Sequence, residues 1–420
     1  MTTITRMAAA EYEAHQLSVY PVGADKPLAF HFRAPEFDVR DLGLPPPRDD
    51  KHAQAQGSTL LDLVLEAQWQ DRDVSYSRRR EWYAQPRRYR GTAYTFDRVV
   101  PFVDLLAAEG LIEYWKAPPG SSGRLQSTMR AIPALVAAMA PVSFIYEIGE
   151  TVRLRDADKQ PKDYSNTDQA LRFRRNLAAI NEALGSVSLT LPGAEPVPHG
   201  VRLATKNGVV FLRDHRNQVF RVFNEDFRHG GRMYGHDVQQ LPKTTRERLL
   251  IDGEPVVEPD YPHHHPRMLY ALQGAPLTGD PYVVDGFERD LGKIALNTLI
   301  NALDGHSAMM AIAQEVERRD RDDPGYQGWP TASARQRAHD LIDTLKNRHP
   351  RIAACFHTGF GTRLQYLDSL MAERVLLALR KRGIAAIPVH DSFVVPERHA
   401  SLTRETMQQS FTDVMRQEVA

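Results

Sequence analysis

Cysteine is nearly absent: Cys355 is the single one in 420 residues. One thiol excludes an intrachain disulfide framework and any metal site built on several cysteines, and it suits a reducing compartment. The expectation for Cys355 is a small buried hydrophobe. Net charge is absent too. With 53 basic and 53 acidic residues in balance, the molecule has no long-range field, so attraction to nucleic acid must come from local patches. The segment MTTITRMAAAEYEAHQ lacks an apolar core, so no secretory signal is expected. The longest apolar run, residues 131–146, contains Pro133 and Pro141 and falls short of the ~20 residues of a membrane span. The expectation is a cytoplasmic chain with no membrane partner. No internal repeat is visible. What remains is ordinary for a globular chain, 42% hydrophobic and 25% charged, and long enough for two or three domains of ~100–200 residues.

Residues 1–58 are weakly patterned and close with Pro45-Pro46-Pro47 and a polar run, which reads as an arm and linker. From Thr59 a helical pattern (Leu60, Leu61, Leu63, Val64, Leu65) precedes SYSRRREWYAQPRRYRG, where seven arginines lie between Arg72 and Arg90. Then follow an amphipathic helix ending at Gly110, a strand from Leu111 to Trp115, a Pro-Gly-Ser loop at 118–123 and a returning segment. Helix, strand, loop, strand is the order of a winged helix, so residues 59–145 are expected to bind a duplex. Arg78, Arg79 and Arg80, interleaved with Tyr76, Trp82, Tyr83 and Tyr89, are the candidate contacts. The bland alternative is a solvated basic face. Residues 165–184 predict a helix stopped by Gly185, and Asn207-Gly208 between β-rich runs predicts a hairpin.

Two strand ends carry aspartates. RLLIDGEPVVEPDYPHHHPR reads as strand, turn at Gly253, strand, then Asp260 and a helix. IPVHDSFVVP puts His390-Asp391 between two apolar runs. Carboxylates on neighbouring strands can bridge two Mg²⁺ ions ~3.5–4 Å apart, the arrangement nucleotidyl transfer needs, and oxygen ligands suit Mg²⁺ or Mn²⁺. Between them, Arg289 and Lys293 are four apart on a predicted helix and share a face, as two cations clamping a triphosphate must. His263-His264-His265 cannot all reach one ion, because successive helical side chains spread over ~200°. One or two of them would line a nucleotide pocket.

The order Asp260-Tyr261…Arg267, Arg289-x-x-x-Lys293, Val389-His390-Asp391-Ser392 resembles motifs A, B and C of family A DNA polymerases and phage-type single-subunit RNA polymerases. DYPHHHPR keeps the Asp, Tyr and Arg offsets of motif A, IPVHDSF is closer to the RNA enzymes, and FNEDFRHGGRMYG resembles the G-R element before motif A. The pattern also looks like that of proteins from plasmids, phages and integrated elements, and covers 223–395. The resemblance implies Asp260 and Asp391 as metal ligands, with Arg289 and Lys293 on the triphosphate and Lys293 a proton donor to the leaving pyrophosphate. It implies Tyr261, His265 and Asn301 around the nucleotide, and Arg232, Gln365 and His390 on the primer-template. Three positions depart from the pattern. His265 replaces the glutamate that excludes a 2′-hydroxyl, Asn301 replaces the motif B aromatic, and Arg228 replaces the Asp three residues before the G-R element in RNA enzymes.

The expected architecture is α+β: a right-hand core with an antiparallel palm sheet and helical fingers over 223–420, a helical thumb-like segment and β-hairpin over 150–222, and the winged-helix-like domain. The expected function is template-directed extension of a strand from nucleoside triphosphates by a two-metal DNA polymerase or primase, with a DNA template or primer-template duplex as partner and no obligate protein partner. The alternatives are a single-subunit RNA polymerase, a DNA-binding replication or regulatory protein with a degenerate palm, and an HD-type phosphohydrolase, against which the β-branched, Pro-flanked setting of His390-Asp391 argues.

Overall fold

The structure is a computed structural model that describes residues 26–70, 72–84, 86–91, 93–118, 126–140, 142–206, 208–322 and 331–419. It is α+β, with several small and mostly antiparallel sheets. The chain divides into two compact units, one from Met1–Arg153, Pro161–Tyr164 and Gly193–Gln218, the other from Leu154–Gln160, Ser165–Pro192 and Val219–Ala420.

The first unit is built on the helix Asp50–Trp69, which starts inside the stretch expected to be a linker because the Asp49 carboxylate accepts the His52 amide at 2.8 Å. Its apolar face, Leu60, Leu61, Val64 and Leu65, packs against Val99, Phe102 and Leu106 of the helix Phe96–Ala108 and against Val74, Ile112 and Met129 of the sheet. The strands Val74–Tyr76, Ser127–Ala131 and Ile112–Trp115 lie side by side and antiparallel, and Lys26–Pro27 adds to the outer edge in parallel. The segment expected as a wing falls largely on 119–125, outside the described residues. The expected hairpin is present, Gly200–Thr205 against Gly208–Arg213, and belongs to this unit; Asn207 itself is not among the described residues.

The second unit holds the two aspartates. Its first helix, α1 (Asp168–Gly185), is capped by the Thr167 hydroxyl. Five short strands, β1 (Leu189–Thr190), β4 (Leu250–Ile251), β5 (Glu254–Val257), β7 (Ser392–Pro396) and β6 (Ile387–Val389), make one antiparallel sheet in that spatial order. A separate hairpin pairs β2 (Phe220–Asn224) with β3 (Gly230–Tyr234). Helix α2 (His264–Leu272) follows β5. The helices α3 (Arg289–Asn301), α4 (Gly305–Asp322) and α5 (Thr331–Arg348) pack on one another. Helix α6 (Gly361–Arg380) carries Leu364, Leu367, Met371 and Val375 into the core, and packs against the β2–β3 hairpin, α1 and α7 (Ala400–Val419). Cys355 is half-buried in a short turn between α5 and α6, less enclosed than the sequence suggested.

Candidate functional site

The turn between β6 and β7 is two residues long, because Val389 pairs directly with Ser392. Such turns need a left-handed residue and usually take Gly or Asn. Here it is His390, at φ 57°, a conformation that costs a side-chain-bearing residue ~1–2 kcal/mol. The same turn is latched to the neighbouring strand: the Ser392 hydroxyl lies 2.7 Å from Glu258 Oε1 and 2.8 Å from the Val389 carbonyl. Glu258 in turn receives both arms of Arg246, at 2.8 and 2.7 Å. Burial works to raise the Glu258 pKa, but the bonds from Arg246 and Ser392 outweigh it and hold the carboxyl below its ordinary range.

This latch brings the two aspartates together. Asp260 forms an isolated antiparallel bridge with Ser392, and the Phe393 amide donates to the Pro259 carbonyl at 3.0 Å. Bridged residues have Cα atoms ~5 Å apart, so Asp260 and Asp391 occupy adjoining strand ends, as the sequence predicted. Asp260 is exposed and Asp391 half-buried. Burial raises the Asp391 pKa, the Asp368 carboxylate raises it further, and His264 and Arg232 partly offset this. Carboxylate oxygens such as those of Asp260 and Asp391 are the donor type a hard divalent cation takes. Among the described residues no group of three or more His, Cys, Asp or Glu is placed to hold a metal ion, and both oxygens of Asp368 are already bonded within the protein.

Asp368, absent from the sequence reading, lies at the centre. It is 1% exposed on α6. Its Oδ2 accepts from Arg232 Nε at 2.8 Å, and its Oδ1 lies 3.1 Å from His264 Nε2. Burial opposes its charge, yet the His264 bond and the charges of His264 and Arg232 hold it below the usual carboxylate range. A carboxylate only accepts, so His264 carries its proton on Nε2; its buried Nδ1 has no hydrogen-bond partner. Arg232 Nη2 stands 3.3 Å from His265 Nε2. Guanidinium only donates, so that nitrogen is the unprotonated one. Burial and the Arg232 charge push the His265 pKa down to about 4. The three consecutive histidines point at three different partners: His263, left-handed at φ 52°, meets Tyr282 edge-on at 5.2 Å, His264 meets Asp368, and His265 meets Arg232.

Tyr282 joins the cations of α3 to this cluster. Arg289 and Lys293 both lie over its ring, 5.3 and 6.0 Å from the centroid. Burial raises the pKa of its hydroxyl, with the Asp280 and Asp391 charges among the other contributors. Helix α3 can seat this closely because residue 292 is glycine: a Cβ there would stand 2.2 Å from the Tyr282 carbonyl oxygen. The preceding loop is anchored by buried His349, which bonds the Pro281 carbonyl at 2.8 Å and the Tyr270 hydroxyl at 2.9 Å. Arg289 is engaged within the protein itself, donating from Nε to Asp280 Oδ2 at 2.6 Å.

The remaining expected site residues fall elsewhere. Tyr261 is turned inward, 5% exposed, with its hydroxyl donating to the Met407 carbonyl at 2.8 Å and its ring stacked on His264 at 4.5 Å. Arg267 stacks over Phe411 of α7 at 4.0 Å. Asn301, at the end of α3, donates to the Asn297 carbonyl and abuts the backbone of Gly361. Gln365 is half-buried on α6, three residues before Asp368. In the other unit Arg78 makes a two-armed bond to Asp104, at 2.9 Å on each arm, and Arg80 another to Asp97, at 2.8 and 2.6 Å. Arg79 is exposed. No protein-family model matches the chain, and no curated protein is significantly similar to it.

Proposed function

We propose that the second unit is the catalytic core of a template-directed nucleic-acid polymerase or primase. The observation that carries this reading is the bridge of Asp260 to Ser392, which sets Asp260 and Asp391 on adjoining strand ends. What supports it further is Tyr282, touched by His263, Arg289 and Lys293, which ties the helix carrying both cations to the histidine turn that follows Asp260. In this reading the antiparallel sheet is the palm and α3 to α5 are the fingers. The first unit, with its helix, strand, helices and two-stranded return, is a winged-helix-like duplex holder.

Asp260 and Asp391 would hold Mg²⁺ or Mn²⁺, which when bound neutralises phosphate charge and makes a 3′-hydroxyl easier to deprotonate. Arg289 and Lys293 bind the triphosphate of the incoming nucleotide, and Lys293 Nζ supplies a proton to the departing pyrophosphate. Arg289 must exchange Asp280 for phosphate to do so. Neutral His265 has no carboxylate with which to exclude a 2′-hydroxyl, so ribo- and deoxyribonucleotides are both accepted, within about tenfold, ~1.4 kcal/mol in transition-state binding.

Primer extension with Mg²⁺ and each nucleotide type tests the reading. Asp391→Asn should abolish extension and leave duplex binding almost unchanged, since it removes a metal ligand and no strand contact. Extension at the wild-type rate in that variant would remove Asp391 from the site. A protein that binds duplex and extends nothing under any condition would be a binding protein with an inert palm, the reading favoured by the Arg289–Asp280 pair.

A further inference from the structure

Asp368 occupies a position on α6 that Leu364, Leu367, Met371 and Val375 would let an apolar residue fill. A carboxylate this deeply buried costs several kcal/mol unless fully bonded. Both of its oxygens are bonded, and the Arg232 fork is split between two partners: Nε reaches Asp368 at 2.8 Å and Nη2 reaches His265 at 3.3 Å. Two points of attachment fix a planar guanidinium in orientation as well as in place. The Arg232 side chain keeps 22% of its surface exposed and that of Asp368 only 2%, so the enclosed group holds the reachable one.

The ground beneath this pair is rigid. Val222 pairs with Arg232 across the β2–β3 hairpin, and its neighbour Arg221, fully buried, bonds Ser369 at 2.6 Å and Glu373 at 2.5 Å on the same helix as Asp368. Gly231, at φ 83°, has no room for a Cβ, which would stand 2.8 Å from Ser369 Oγ. Hairpin and helix cannot slide past each other without breaking buried bonds.

We infer that Asp368 is a positioning residue that orients Arg232 for contact with the nucleic-acid strand beside Asp260 and Asp391, an inference that rests on the polymerase reading of this site. The test is equilibrium binding of a labelled primer-template duplex, followed by fluorescence anisotropy alongside thermal unfolding, for Asp368→Asn, Arg232→Ala and the double variant. Asparagine keeps the shape and removes the charge. Each single change is expected to weaken binding about tenfold, and the double no more than the worse single, because the two act as one unit. A double variant about a hundredfold weaker, or Asp368→Asn binding like wild type, overturns the inference. If Asp368→Asn does not fold, Arg232→Lys decides. Lysine keeps the charge but cannot span Asp368 and His265, so it should bind as weakly as alanine, and wild-type binding by that variant overturns the inference. Binding is read without catalysis. Coupling in a protein that extends nothing would sink the polymerase reading alone, and extension without coupling would sink this inference alone.

Discussion

Arginine is used differently in the two units. In the first, Arg78 and Arg80 pair with Asp104 and Asp97, and the Arg80 and Asp97 side chains are about two-thirds exposed. In the second, Arg221 is fully buried beside the stacked rings of Phe173 and Phe223, 4.3 and 4.8 Å from their centroids, with Glu373 and Ser369 as partners. In the conspicuous run of arginines Arg72 meets a buried carboxylate, Glu66 at 1% exposure, while Arg78 and Arg80 hold partly or largely exposed ones. A single arginine in the strand FRVFN fixes a helix. Density of charge in a sequence measures solvent contact, whereas one charge amid apolar neighbours marks a bond that the core depends on.

The comparison breaks most easily at Arg221. Arg221→Met should destabilise the second unit by about 3–5 kcal/mol, because Glu373 is left buried and uncompensated. Adding Glu373→Met should recover most of that loss, whereas Arg80→Ala should leave the unfolding midpoint where it was. Chemical unfolding of the four proteins checks this, and a midpoint for Arg221→Met equal to that of wild type would erase the distinction between the units.

A smaller effect is expected at Asp280, whose pairing with Arg289 is exposed like those of the first unit but lies beside the proposed nucleotide site. Asp280→Asn frees Arg289 and should lower the nucleotide KM about two- to fivefold, as suits an exposed pair. An unchanged or raised KM would return Asp280 to a purely structural role.

The His265 imidazole gives a pH signature. Its folded pKa, about 4, is below the ordinary ~6.5, so between those values the unfolded chain binds the extra proton and stability falls as pH falls. Wild type should therefore lose stability from pH 6.5 toward 4 relative to His265→Gln, with no difference attributable to this group above pH 7. Parallel curves across that window would show that His265 is solvated. The least effect is expected from Arg78→Ala with Arg80→Ala. Since both arginines are held by carboxylates, the salt slope of duplex binding should fall by well under the ~1.8 that two lost phosphate contacts would give. A full drop would mean that the ion pairs open on binding.

Much of this was legible in the sequence. The strands around Asp260 and Asp391, α1 with its Thr167 cap and α3 with Arg289 and Lys293 on one face all follow from periodicity and turn chemistry. Helix α6 carries the signal that points to the rest of the cluster. Asp368 lies on the stripe of Leu364, Leu367 and Met371, and a charge on an apolar stripe is a readable sign of a buried partner. The partner itself was beyond reach, because Arg232 is 136 residues away. Tyr282 and Asp280 lie in a loop with no periodicity, and their role follows only from packing against Gly292 and His349. Tyr261 shows the converse: an offset that fits a motif does not say which way a ring turns.

In the polymerase reading proposed above, Asp260 and Asp391 work as one cation-binding centre. Mn²⁺ binding followed by electron paramagnetic resonance measures it most directly, in wild type and in Asp260→Asn and Asp391→Asn, with folding checked in each. The account predicts that wild type takes up Mn²⁺ and that either substitution alone removes it, since the two carboxylates share the ion. Uptake unchanged by either substitution would contradict the account.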